Sequence, residues 1–186
     1  TATVDEALQE LFLKIRENLQ IRRFTRLEGI LVPYIHGGGK IGVLVQAASP
    51  AGATEAVLTA AKDCALQIAA MRPSYLNRKA VPAAVLEQEK TVVLAQMAED
   101  PKMANKPEQV RAKIAEGKVG KYYSENCLLE QTFVKDGSMN VKQYVDSVAK
   151  AAGTTIEITG YVCFERGEGI EKKADNFAEE IASMIK

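Results

Sequence analysis

Tyr34-Ile-His-Gly-Gly-Gly-Lys-Ile-Gly-Val-Leu-Val45 is the stretch on which the reading of this chain turns. Gly37, Gly39 and Gly42 satisfy the spacing G-x-G-x-x-G, the mark of a dinucleotide or phosphate loop. Such a loop lies between a strand and a helix, so that the helix N-terminus meets the anion. Here the glycines are followed by Ile41-Gly-Val-Leu-Val45, a β-branched apolar run that reads as a second strand. The order strand, glycine turn, strand predicts a β-hairpin, with strands over 30–35 and 40–47. No Ser or Thr follows Lys40, so the Walker pattern fails as well.

Upstream, Thr3 and Glu6 form a capping box for an amphipathic helix over 5–18. Val4, Leu8, Leu11, Ile15 and Leu19 fall on one stripe of it, with Phe12 beside them. Residues 19–27 then turn extended. Downstream, Ser49-Pro-Ala-Gly52 breaks the chain ahead of a helix over 54–71. Val57, Ala60, Ala61, Cys64, Ala65 and Ile68 repeat at helical spacing and are expected to face the sheet. Asp63, Gln67 and Ala70 are expected on the opposite face, open to a partner. Pro73 ends the helix.

Pro82 opens another helix to about residue 99, 100–106 make a turn, and Pro107 opens a return helix to about 124. Two helices joined by a short loop make an antiparallel pair. Their narrow apolar stripe on otherwise charged surfaces predicts a projecting, coiled-coil-like arm; a solvated helical pair with no partner fits the same pattern. A short helix over 141–152, capped by Asn140, an alternating strand over 155–165 and a closing helix over 174–185 complete the chain.

Hydrophobic residues make up 47% and charged residues 26%, and 24 basic residues balance 24 acidic ones. This composition fits a globular domain and lacks the basic excess of a general nucleic-acid binder. The three cysteines, Cys64, Cys127 and Cys163, are far apart among apolar residues. With His36 as the one histidine, they cannot assemble a zinc set, and they read as buried, reduced thiols. No apolar run reaches the ~20 residues that span a bilayer, and no signal peptide is visible. A Ser–His–acid set would have to use His36 beside a hairpin turn, and the carboxylates Glu165, Glu168 and Glu171 read as solvated around a surface turn. The expectation is no catalytic residue, no metal and no cofactor.

Five stretches, in order, resemble a known family. They are Glu17-Asn-Leu-Gln-Ile-Arg-Arg-Phe24 with Leu27-Glu-Gly29, the glycine hairpin, Ala65-Leu-Gln-Ile-Ala-Ala-Met-Arg-Pro73, Cys127-Leu-Leu-Glu-Gln-Thr-Phe-Val-Lys135 and Phe164-Glu-Arg-Gly-Glu-Gly-Ile-Glu171. Together they resemble the core of elongation factor Ts, the nucleotide-exchange factor of bacterial and organellar translation. There are departures. The family's N-terminal ubiquitin-associated-type domain and its Thr-Asp-Phe-Val segment are missing, and Gln67 stands where several members carry a histidine. The chain resembles the family core without its front end.

The resemblance implies an α+β fold of two similar small subdomains, each a mainly antiparallel sheet covered by helices. These are residues 1–78 and 127–186, with the helical arm over 79–126 between them. It implies elongation factor Tu as the partner, one subdomain meeting its nucleotide domain and the other a β-barrel domain. It implies no direct contact with nucleic acid or membrane, while a homodimer is compatible with it. The expected compartment is the bacterial cytoplasm, or an organellar matrix. Carried over by position, Ile41, Gly42 and Gln67 become partner-binding residues. Arg22, His36, Gly37, Gly38, Gly39, Phe133, Gly167, Glu168 and Gly169 are family-signature residues expected to be structural. The implied activity is release of GDP from elongation factor Tu by disturbing its phosphate and magnesium site. The alternatives are a docking or scaffold module without exchange activity, and an enzyme using Gly37 to Gly42 as a nucleotide loop.

Overall fold

The computed structural model describes residues 2–100 and 106–170. The expected closing helix over 174–185 and most of the turn over 100–106 lie outside them. Helix α1 spans Val4–Ile15, started by the expected capping box. Glu6 N donates to Thr3 Oγ1 at 3.3 Å, and Thr3 N donates to the Glu6 carboxylate at 2.7 Å. The helix ends earlier than its periodicity predicts. Arg16 turns left-handed at φ 56°, and its N–H bonds Phe12 O at 2.8 Å. None of the helix is buried.

The glycine stretch is a hairpin. β1 (Ile30–His36) and β2 (Ile41–Ala48) pair antiparallel, closing with His36 opposite Ile41. Gly37, Gly38 and Gly39 take φ of 59°, 64° and 88°. Three successive left-handed residues are a turn that L side chains resist. No helix follows Gly42, so the loop cannot present a helix N-terminus to an anion.

Helix α2 (Glu55–Met71) lies on one face of this hairpin. Val43, Val45 and Ala47 point inward to meet Val57, Ala60, Ala61, Cys64, Ala65 and Ile68 in one buried cluster. Small side chains let helix and sheet approach closely. The pair α3 (Ala83–Glu99) and α4 (Glu108–Asn126) follows. Lys118 Nζ meets Gln96 Oε1 at 3.4 Å, bringing the middle of α4 to the end of α3 as in an antiparallel pair. Val93 and Met97 are the buried residues of α3, and α4 has none.

After α4 comes a short hairpin, β3 (Thr132–Phe133) with β4 (Asp136–Asn140), and then α5 (Val141–Ala151). Val141, Val145 and Ala149 bury one face of α5 against α2. Asn140 and Gln143 cap it reciprocally, each backbone N–H meeting the other's side chain at 2.8 Å. The last strand, β5 (Glu157–Glu165), pairs antiparallel with β2, so the sheet order is β1-β2-β5.

The fold is α+β, built in layers: sheet, then α2, then α5 with the β3–β4 hairpin. β5, which lies in the stretch expected from sequence to form the C-terminal subdomain, pairs into the sheet of the glycine hairpin. Residues from both sides of the α3–α4 pair share one core. The physical reason is that β2, buried along its inner face, needs hydrogen-bond partners along both edges, and β1 supplies only one.

Candidate partner-binding face

Alternate residues of the sheet point away from α2. Register places Ile35, Gly42 and Phe164 in one row across the three strands, and Pro33, Leu44 and Val162 in the next. These six line a shallow, open hollow of about 290 Å³, with Thr25 at its rim. Ile35 is 66% exposed, and none of the six is buried. Gly42 lies in the outer row without a bulge and without a left-handed backbone. A Cβ there would meet Ile35 Cδ1 at an ordinary 3.7 Å, so packing within the chain does not demand glycine. Its effect is to keep the row flat.

One edge of this face is organised by the signature residues. Arg23 places its guanidinium 4.6 Å above the Phe164 ring and pairs with the Glu168 carboxylate. That hydrogen bond, chiefly, holds the Glu168 carboxyl below the usual carboxylate range. Arg22 Nη1 donates to Glu168 O at 2.8 Å. Gly167 and Gly169 are left-handed at φ 79° and 76°, and a Cβ on Gly169 would fall 1.6 Å from Arg22 Nη1. The two arginines therefore tie the extended segment before β1 to the turn after β5. Arg22, Glu168 and the turn glycines lie together at the edge of the open face. His36, at the same end of the sheet in the row of His36, Ile41 and Glu165, is exposed, and its Nδ1 shares a hydrogen bond with Tyr34 OH at 2.9 Å. Phe133 is buried and stacks on Tyr144 with ring centroids 4.1 Å apart.

The three carried-over contact residues do not share a surface. Ile41 points to the inner side of the sheet and is 7% exposed, within the core. Its neighbour Gly42 faces outward, because successive strand residues alternate sides. Gln67 is fully buried. Its Nε2 donates to Gln131 Oε1 and to Thr132 O, each at 3.1 Å, and its Oε1 accepts from Val134 N at 2.8 Å. Asp63, also expected on an open face, accepts from Lys135 Nζ at 2.5 Å and Tyr144 OH at 2.6 Å. Both expectations fail for one reason: the layer of β3, β4 and α5 covers the face of α2 that faces away from the sheet. The outer residues Pro33, Ile35, Leu44, Val162 and Phe164 are not among the contact residues carried over from the resemblance. A signal is present in the sequence: Val43, Leu44 and Val45 are consecutive apolar residues, so one of them must point away from the core.

Burial, with Asp63 nearby, pushes the Cys64 thiol up to about 12, so it stays protonated and a poor nucleophile. Among the described residues no cluster of His, Cys, Asp and Glu is placed to hold a metal ion. No described helix is long and apolar enough to cross a membrane.

The family model described as Elongation factor TS matches residues 1–168. Elongation factor Ts of Clostridium kluyveri is 44% identical over 186 residues, 98% of this chain and 59% of that protein. The Clostridium botulinum (strain Eklund 17B) protein of the same name is 42% identical over 187 residues, 99% of this chain and 60% of its own length. That of Clostridium perfringens (strain SM101) is 44% identical over 185 residues, 98% of this chain and 59% of its own. The chain thus spans about three fifths of the length of these curated relatives. With the family model matched over most of its residues, the chain belongs to the elongation factor Ts family.

Proposed function

We propose that this chain is the exchange-factor core that binds elongation factor Tu and promotes release of its GDP during translation elongation. The observation that carries the reading is the family match running unbroken over residues 1–168. The open apolar face supplies a surface for it. Ile35, Leu44, Val162 and Phe164 make the contact, and Gly42 lets the partner's backbone approach the middle of the row. Ile41 and Gln67 act from behind, holding β2 and α2 in place. The α3–α4 pair is the projecting, coiled-coil-like arm, a second docking element standing off a core made of residues 1–78 and 127–170 together.

Exchange of this kind asks no bond chemistry of the chain, so the reading is a binding protein and not an enzyme. It works by linkage: a factor that binds the empty GTPase more tightly than the GDP form weakens GDP by the same ratio. Every ~1.4 kcal/mol of difference is tenfold. The place of action is the compartment where elongation factor Tu works. Titration calorimetry against elongation factor Tu, nucleotide-free and GDP-loaded, tests the reading. Binding at least about 100-fold tighter to the empty form is expected. Equal affinities would make the chain a docking module without exchange activity, and no binding to either would refute the reading.

A further inference from the structure

The chain enters and leaves the α3–α4 pair along one seam. Ser74 N and Tyr75 N donate to Asn126 O at 2.9 and 3.0 Å, and Leu128 N and Leu129 N donate back to Tyr75 O and Leu76 O at 2.8 and 3.1 Å. The backbone seam ends at Leu76. Asn77 then caps a tight three-residue turn, Arg78–Ala80, directly before α3, its Oδ1 accepting from Lys79 N at 3.0 Å and Ala80 N at 3.2 Å. From this turn the Arg78 side chain carries the seam further. Its Nε donates to both Glu130 oxygens, at 2.6 and 2.8 Å, and its guanidinium lies 4.7 Å over the Tyr123 ring. Tyr123 is in the last turn of α4, and Glu130 lies beyond the end of that helix. Arg78 therefore brackets the junction at Cys127 from the entering strand, touching both the helix end before it and the turn after it.

This position matters because the contacts that aim the pair gather at its base, where the backbone seam and the Gln131 Nε2 bond to Glu125 O fix the end of α4 and the Arg78 side chain adds a tie from the turn leading into α3. α3 packs chiefly on α4, and α4 on α3 and on the turn at Leu128–Glu130. Seventeen residues of α3 make a lever of about 25 Å, so 10° of play at the base moves the far end by about 4 Å. We propose that Arg78 is a positioning residue that locks the angle of the α3–α4 pair on the core. The open sheet face and the far part of the pair are then held as a fixed two-point gauge. A half-exposed ion pair alone contributes little to stability. The lock works through geometry, since the planar guanidinium meets a carboxylate and an aromatic face at once. The use of the fixed angle in binding elongation factor Tu rests on the function proposed above; the angle itself does not.

Distance distributions between spin labels test the lock directly. The labels go on Ala98→Cys and Lys150→Cys, both exposed positions, in the full chain with Cys163→Ser. Arg78→Ala is expected to broaden the distribution by about 4 Å, with the thermal midpoint little changed. Arg78→Lys keeps the charge but not the planar fork, and is expected to fall between. Glu130→Gln provides a second route should Arg78→Ala fold poorly, and is expected to broaden it as well. An unchanged width in Arg78→Ala, or in Glu130→Gln where Arg78→Ala does not fold, would overturn the lock. Binding to elongation factor Tu is then measured on the same variants, with a loss of about tenfold expected for Arg78→Ala. Broadening in a series whose parent chain does not bind elongation factor Tu would leave the lock standing and remove the functional reading alone.

Discussion

Replacing Gln67 with alanine is expected to destabilise the chain by about 3 kcal/mol, read from urea unfolding. Gln67 is fully buried, and its amide is used from both ends. It donates to Gln131 Oε1 and Thr132 O and accepts from Val134 N. Gln131, itself 1% exposed, passes the network on by donating to Glu125 O at 2.8 Å, at the end of α4. Alanine would leave the Val134 amide without its partner, remove a donor from two oxygens, and open a void between α2 and β3. A buried donor left unmet costs about 1–3 kcal/mol, and the void adds to it. Loss of elongation factor Tu binding in this variant is expected to track the unfolded fraction and nothing more. A loss of stability below about 1 kcal/mol would show that the network does not hold the layers together. A fully folded variant that no longer binds would return Gln67 to the interface.

The opposite pattern is expected for Leu44→Asp. Leu44 stands in the middle strand of the open face, between Pro33 and Val162. A carboxylate there disturbs little within the chain, at a strand-propensity cost of at most about 1 kcal/mol. At a docked interface it would be an unpaired charge taken out of water. Binding to elongation factor Tu is expected to weaken about 100-fold or more, the scale of a central interface position. Leu58→Asp, on the outward face of α2 at 38% exposure, carries the same charge elsewhere and is expected to leave binding within about threefold. Leu44→Asp binding as well as the parent would show that the partner does not use this face.

What could be read from the sequence divides along the range of the interactions. The glycine hairpin was legible because Gly37 to Gly39 and the β-branched run after them are local statements about backbone conformation. The cap at Thr3 and Glu6 was legible for the same reason, as was the inward stripe of α2. Gln67 and Asp63 were read as exposed because polar residues opposite an apolar stripe usually are. Their partners, Gln131, Lys135 and Tyr144, are more than sixty residues away, and no local pattern announces them. Carry-over by position puts Ile41 and Gly42 in one contact site, and strand parity separates them, because neighbouring strand residues face opposite ways. The pairing of β5 with β2 joins positions over a hundred residues apart in the chain, and β3 is too short for any period to show. The open face is hard to see in the sequence because apolar strand residues such as Leu44 and Val162 look like core residues until the layers are placed.

The most direct test of the whole account is release of a fluorescent GDP analogue from elongation factor Tu, followed by stopped flow as this chain is added at micromolar concentrations. The account predicts that release accelerates with chain concentration toward a plateau, and that Leu44→Asp removes the acceleration while Leu58→Asp keeps it. A release rate unchanged at saturating chain would contradict it.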